Sequence, residues 1–172
     1  EALRESEQQY RSLFQNIRDA ILLADTERRI IDCNPAFESL FGYTLEEVKG
    51  RKTSYVYENE EEFQNLGNAI RENIDDSSFL MTVHYKKKNG EVFPGETGAF
   101  YLKDQNGHVT GFIGVIRDIT FRKQAEDRLQ RAHDKLDTLV QLNADGLMVL
   151  DQEGSILFIN PAAAQMLDRD HD

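Results

Sequence analysis

Asn34-Pro35-Ala36 recurs as Asn160-Pro161-Ala162, an offset of 126 (160 less 34). At that offset Asp145 falls on Asp19, Asp151 on Asp25, Glu153 on Glu27 and Ile156 on Ile30, without a gap. Leu129, Leu136, Leu139 and Val140 likewise fall on Leu3, Tyr10, Leu13 and Phe14. The helix that leaves one copy is therefore the helix that enters the next. Solenoid repeats run about 20–50 residues, so this longer period reads as tandem domains. The second copy holds an opening hairpin and the start of a helix before Asp172, without three later strands. The first copy must therefore close a sheet alone. The chain opens on Glu1 rather than Met, as expected of a segment of something longer.

Within the first copy, residues 1–17 place Leu3, Tyr10, Leu13, Phe14 and Ile17 on one helical face. Ala20 to Ala24 and Ile30-Ile31 flank a polar turn and read as a two-stranded hairpin. Asn34-Pro35 starts a short helix, because Asn can accept from a free backbone N–H and Pro at the first position loses nothing. Thr44-Leu45-Glu46-Glu47 is a capping box for a second short helix. Residues 60–74 read as a third, with Phe63, Leu66, Ile70 and Ile74 on its apolar face; Gly67 marks a weak spot or a close approach. Three strands follow, over Phe79–Tyr85, Val92–Leu102 and Val109–Ile119, joined at Asn89-Gly90 and at Asp104 to Gly107.

The last strand, rich in β-branched and aromatic residues, runs without Gly or Pro into a helical pattern. Ala125, Leu129, Ala132, Leu136 and Leu139 recur at alternating steps of four and three, the seam of a coiled coil. The expected class is α+β: a five-stranded antiparallel sheet, short helices on one face, and amphipathic helices at both ends. The final strand should lie beside the opening hairpin, near the middle of the sheet. The expected segments are residues 1–17 (entry helix), 18–119 (sheet-and-helix domain), 120–142 (helical linker) and 143–172 (start of the second copy).

Composition removes several functions. A net charge of −11 is the wrong sign for a nucleic-acid footprint. The one basic run, Lys86 to Lys88, precedes a turn and reads as a solvated hairpin end. A single cysteine permits no internal disulfide and suits a reducing, cytoplasmic setting. Apolar runs of about five residues fall far short of the roughly 20 a membrane span needs. No phosphate-cradling loop, metal cluster or nucleophile set is evident, which argues against an enzyme.

Taken in order, Asn34-Pro35-Ala36-Phe37, Phe41-Gly42-Tyr43-Thr44 with Glu46-Glu47 and Gly50, Lys88-Asn89-Gly90 with Pro94 and Glu96, and Gly111-Phe112 through Arg117-Asp118-Ile119-Thr120 into Arg122 to Glu126 resemble a PAS domain with its C-terminal PAC segment. The match covers about residues 6–124, and a partial second copy begins near 132. The resemblance implies a bacterial sensory module ahead of an effector in the same chain: a histidine kinase of a two-component system, or alternatively a diguanylate cyclase or phosphodiesterase. A spacer without ligand is a further alternative. The seam of the 120–142 helix, with the amphipathic entry helix, leads independently to the expectation of a parallel homodimer through the flanking helices.

Light-sensing relatives carry an adduct cysteine within Asn-Cys-Arg; this chain has Lys52-Thr53-Ser54-Tyr55 in that region, and its only thiol, Cys33, ends a strand. Haem-binding relatives use a histidine on the third helix, where this chain has none; His84 is the only candidate on the sheet. No bound chromophore and no metal are therefore expected, with FAD or FMN as the alternative. A small organic ligand would sit where Phe63, Leu66 and Ile70 face Val83, Phe93, Ile113 and Val115, with Tyr85 and Glu96 as polar contacts; the plainer reading of these residues is core. Asp118, Ile119 and Thr120 mark the relay junction. There the resemblance implies an Asp paired to a base and a Thr bonded locally, with Thr120 also suited to cap the following helix. His133 invites a phospho-acceptor reading, but its helix leads into another sensor copy.

Overall fold

The computed structural model describes residues 2–73 and 79–169. Its contacts divide the chain into two units, Glu1–Phe121 and Arg122–Asp172. In the first, α1 (Ala2–Asn16) precedes the hairpin of β1 (Ala20–Asp25) and β2 (Ile30–Cys33). Then come α2 (Pro35–Phe41), α3 (Leu45–Val48), a 3-10 turn (Thr53–Val56) and α4 (Glu60–Glu72). Strands β3 (Met81–Lys86), β4 (Val92–Lys103) and β5 (Val109–Asp118) complete it. The order across the antiparallel sheet is β2-β1-β5-β4-β3. The exit strand thus occupies the centre, beside β1. Ile74, expected on the apolar face of α4, lies outside the described residues, as does the side chain of Leu3.

Local chemistry fixes the starts of α2, α3 and α4. Asn34 Oδ1 accepts from Phe37 N–H at 3.0 Å, and Gly42 closes α2 in a left-handed conformation, φ 77°. Glu47 Oε2 accepts from Thr44 N–H at 3.0 Å, holding the start of α3. Asn59 caps α4, accepting from Glu62 N–H at 2.9 Å, and three glutamates in the first turn favour the helix dipole.

Register decides which residues meet the helices. Thr97 pairs with Ile116, Ala99 with Gly114 and Tyr101 with Phe112, while β1 sets Leu22 against Gly114 and Ala24 against Phe112. Because side chains alternate, these share one face. On it pack the rings of Phe37, Phe41, Tyr85 and Phe93, the bulkiest fully buried side chains among the described residues, with Phe41 5.6 Å from Tyr85 and 5.4 Å from Phe93.

The second unit holds most of α5 (Thr120–Leu142), the hairpin of β6 (Met148–Leu150) and β7 (Ile156–Ile159), and α6 (Pro161–Arg169). No helix among the described residues is long and apolar enough to cross a membrane.

Candidate functional site: a cavity between α4 and the central strands

A cavity of about 260 Å³ lies between α4 and the inner faces of β1, β4 and β5. Leu22, Leu66, Ile70, Phe112 and Ile116 give it apolar walls. Its polar groups come from the 3-10 turn and beyond (Thr53, Tyr57), the sheet (Tyr85, Thr97) and the β1–β2 turn (Arg28).

These polar groups are ordered by one another. The Thr97 hydroxyl donates to Gly95 O at 3.3 Å, which leaves Tyr85 to donate to Thr97 Oγ1 at 2.8 Å. Arg28 Nη2 donates to Tyr57 Oη at 3.2 Å and Nη1 to Phe63 O at 2.9 Å, with the guanidinium carbon 3.5 Å from the Phe63 ring centroid. Burial pushes the Tyr57 phenol up, against an opposing pull from Arg28. Burial, and then Tyr57 beside it, holds Tyr85 well above the usual phenol range. Both phenols therefore stay neutral at physiological pH, as donors and acceptors. The Thr53 hydroxyl is buried beside Tyr57, without a hydrogen bond of ordinary length among the described residues.

Of the nine residues expected at a pocket, Leu66, Ile70 and Tyr85 border this cavity, and Ile113 also touches it although its register places its side chain on the other face, with Val115. Phe63, Val83 and Phe93 are buried in the core outside its wall. Glu96 and Val115 need correction. Inward pairing of Thr97 with Ile116 turns their neighbours to the other face, where Glu96 opposes Arg117 and Val115 opposes Gly98. Sequence reasoning missed Arg28. Its signal was available: at the repeat offset Arg28 falls on Gly154, so an arginine stands where the same turn elsewhere takes glycine. The close approach foreseen at Gly67 is Arg28 itself, whose Nη1 lies 2.8 Å from where a Cβ would stand.

At the junction, Asp118 rather than Thr120 supplies the cap. Asp118 Oδ1 accepts from Thr120 N–H at 2.8 Å, whereas the Thr120 hydroxyl is buried without a partner among the described residues. Ile119 is buried, and its N–H donates to Pro94 O at 3.1 Å, tying the junction to β4. Arg117 grips Asp19 through two bonds of 3.0 and 2.7 Å. Along α5, Ala125, Leu129, Ala132, Leu136 and Leu139 are all exposed.

Among the described residues, donors for a metal gather at one place that the sequence did not suggest. Glu58, Glu62 and His84 bring their ligand atoms within 4.8 Å of one another. The 2.8 Å contact of His84 Nδ1 with Glu62 Oε1 accounts for that closeness as an ion pair or hydrogen bond. Cys33 is a poor nucleophile: burial, then the Glu38 and Asp32 carboxylates, push its thiol up to about 12.

Curated relatives share sequence with most of this chain. Sporulation kinase C of Bacillus subtilis is 28% identical over 124 residues, which are 72% of this chain and 29% of the kinase. Sensor histidine kinase TmoS of Ectopseudomonas mendocina is 26% identical over 138 residues, 78% of this chain and 14% of that protein. The chain thus spans less than a third of either. Among solved structures, a PAS domain from Colwellia psychrerythraea superposes with a TM-score of 0.61 at 23% identity, covering 66% of this chain and 97% of that one. An RNA-binding light-oxygen-voltage receptor gives 0.63 at 25% identity, covering 74% and 37%. The PAS-domain family matches residues 18–121, and a second PAS match covers residues 134–172. The match over 18–121 spans all five strands of the sheet and the cavity beneath α4, and on that ground the chain belongs to the PAS-domain family.

Proposed function

We propose that this chain is a cytoplasmic sensory and dimerisation module, in which occupancy of the cavity alters β5 and β5 passes the change to α5. The effector downstream is a histidine kinase of a two-component system. One observation carries the reading: β5 is a wall of the cavity, and only Ile119 separates it from α5. A strand shift has no flexible loop in which to dissipate. The exposed seam of α5, with exposed Tyr10 and Leu13 on α1, suits a second copy of the chain. The kinase relatives support the effector assignment. A seam with two alanines is weak, which suits a helix pair that a modest movement must shift.

Analytical ultracentrifugation of wild type and the Leu129→Glu/Leu136→Glu double variant tests the dimer. The variant should show a lower dimer fraction with residues 18–121 melting nearly unchanged; equal dimerisation would remove the seam. The relay is tested by grafting residues 1–142 onto a kinase core and inserting residues one at a time within α5. Autophosphorylation should vary with insertion length and recover near seven, one heptad. Indifference to insertion length would exclude a helical relay.

A further inference from the structure

Arg28 is the one non-glycine residue with positive φ among the described residues, at 61°. Its counterpart in the second copy, Gly154, has φ 87°. The two turns are built alike. Asp25 Oδ1 accepts from the N–H groups of Glu27 and Arg29 at 2.9 and 2.8 Å; Asp151 Oδ1 accepts from Glu153 and Ser155 at 2.9 and 2.8 Å. The left-handed step therefore belongs to the turn. Glycine takes it freely, whereas arginine takes it against crowding of its Cβ. The reason for an arginine here must lie in the side chain.

That side chain enters the cavity described above, where Gly67 on α4 leaves it room. Two of its five N–H donors are used, on Phe63 O and Tyr57 Oη. No carboxylate among the described residues forms a salt bridge with it. The chain has a net charge of −11, yet the described residues lining the cavity include two arginines, Arg28 and the exposed Arg71, and no Asp or Glu. The buried Thr53 hydroxyl, beside Tyr57 and without a hydrogen bond of ordinary length among the described residues, lines the same space. The lining thus combines cationic and donor-rich groups with the apolar walls of Leu22, Leu66, Ile70 and Phe112.

We propose that the cavity binds a small organic monocarboxylate with an apolar body, its carboxylate held by Arg28. This rests on the sensory reading above and names its ligand class. The planar guanidinium fork matches a carboxylate, and stacking on Phe63 keeps it oriented before the ligand arrives. Size agrees: a cavity of about 150 Å³ can hold benzene, so about 260 Å³ has room for a ring bearing a carboxylate. Drug-sized ligands occupy clefts from roughly 300 Å³ upward.

Calorimetry on the whole chain with benzoate and 3-methylbutanoate, each against its neutral amide, and with toluene, tests the proposal. At least one acid should bind about tenfold or more tightly than its amide. Arg28→Gly, the residue the second copy uses, should erase that preference while circular dichroism shows an intact fold. Arg28→Lys keeps the charge without the fork and should restore only part of it. Retention of the preference in Arg28→Gly overturns the proposal, as does failure of both acids to bind. Toluene binding without the acids also overturns it but leaves the sensory reading standing. The relay is judged separately, by the insertion series.

Discussion

Asn34 shows how much one side chain can hold. Beyond capping α2, its Oδ1 accepts from Ile21 N–H at 2.8 Å, and its Nδ2 donates to Asp19 O at 3.0 Å and Ile17 O at 3.4 Å. The side chain is fully buried, so alanine would strand several backbone groups away from water. Loss of a cap alone costs about 1 kcal/mol; stranded buried partners add roughly 1–3 kcal/mol. We expect Asn34→Ala to lower stability by about 3 kcal/mol in urea unfolding, and a loss under 1 kcal/mol would show that the extra bonds contribute little. Asn160 repeats the pattern, accepting from Leu147 and Ala163 N–H and donating to Asp145 O. Cys33 supplies a second residue-scale prediction. Its folded pKa of about 12 exceeds its ordinary value of 9.0. Below pH 9 the thiol is protonated in both states and stability is unaffected by it. As pH rises from about 9 towards 12 the unfolded state loses the proton first, so stability falls. Cys33→Ala should flatten that alkaline decline in melting temperature; an unchanged slope would assign the decline to other groups.

At the scale of elements, β5 carries two glycines that the same substitution separates. A Cβ at Gly111 would stand 2.3 Å from Ala24 O, a backbone atom that cannot move without breaking the β1–β5 ladder. A Cβ at Gly114 meets nothing closer than 3.9 Å. Gly111→Ala should therefore cost about 1–3 kcal/mol, as overpacking does, whereas Gly114→Ala should stay within about 0.5 kcal/mol of wild type. Equal losses in chemical denaturation would mean that β5 adjusts its position freely. Element positions were largely legible in the sequence. The central place of the exit strand beside the opening hairpin followed from the tally of apolar runs, and helix starts from Asn34 and Thr44. Which face each residue of β4 and β5 presents did not follow. It depends on register, and a pairing of Thr97 with Ile116 is not written in either strand alone. That one step of parity put Glu96 and Val115 on the wrong face. Arg28 escaped for another reason: its turn looked polar and ordinary until its glycine counterpart was set beside it.

The whole molecule contains its own control for burial, because the same hairpin pattern appears twice. Leu22 and Ile30 are 6% and 2% exposed in the first copy; at the repeat offset Met148 and Ile156 are 38% and 55% exposed. The local turn is the same, down to its hydrogen bonds. The difference lies in neighbours: β1 pairs with both β2 and β5 under a layer of helices, whereas β6 pairs with β7 alone among the described residues. A two-stranded hairpin is marginal in water, and burial on a larger sheet supplies most of its stability. Local opening in Arg122–Asp172 should therefore cost far less free energy than opening the five-stranded sheet. Limited proteolysis should cut first between residues 143 and 169 and leave a resistant fragment holding residues 18–121. Hydrogen exchange should find the slowest amides in β1 and β5 and amides of β6 and β7 exchanging at least about a hundredfold faster. Comparable protection of β6 and β5 would mean that contacts beyond the hairpin itself, such as those made in a dimer, stabilise the second unit. The Leu129→Glu/Leu136→Glu variant would then expose them by restoring fast exchange in β6.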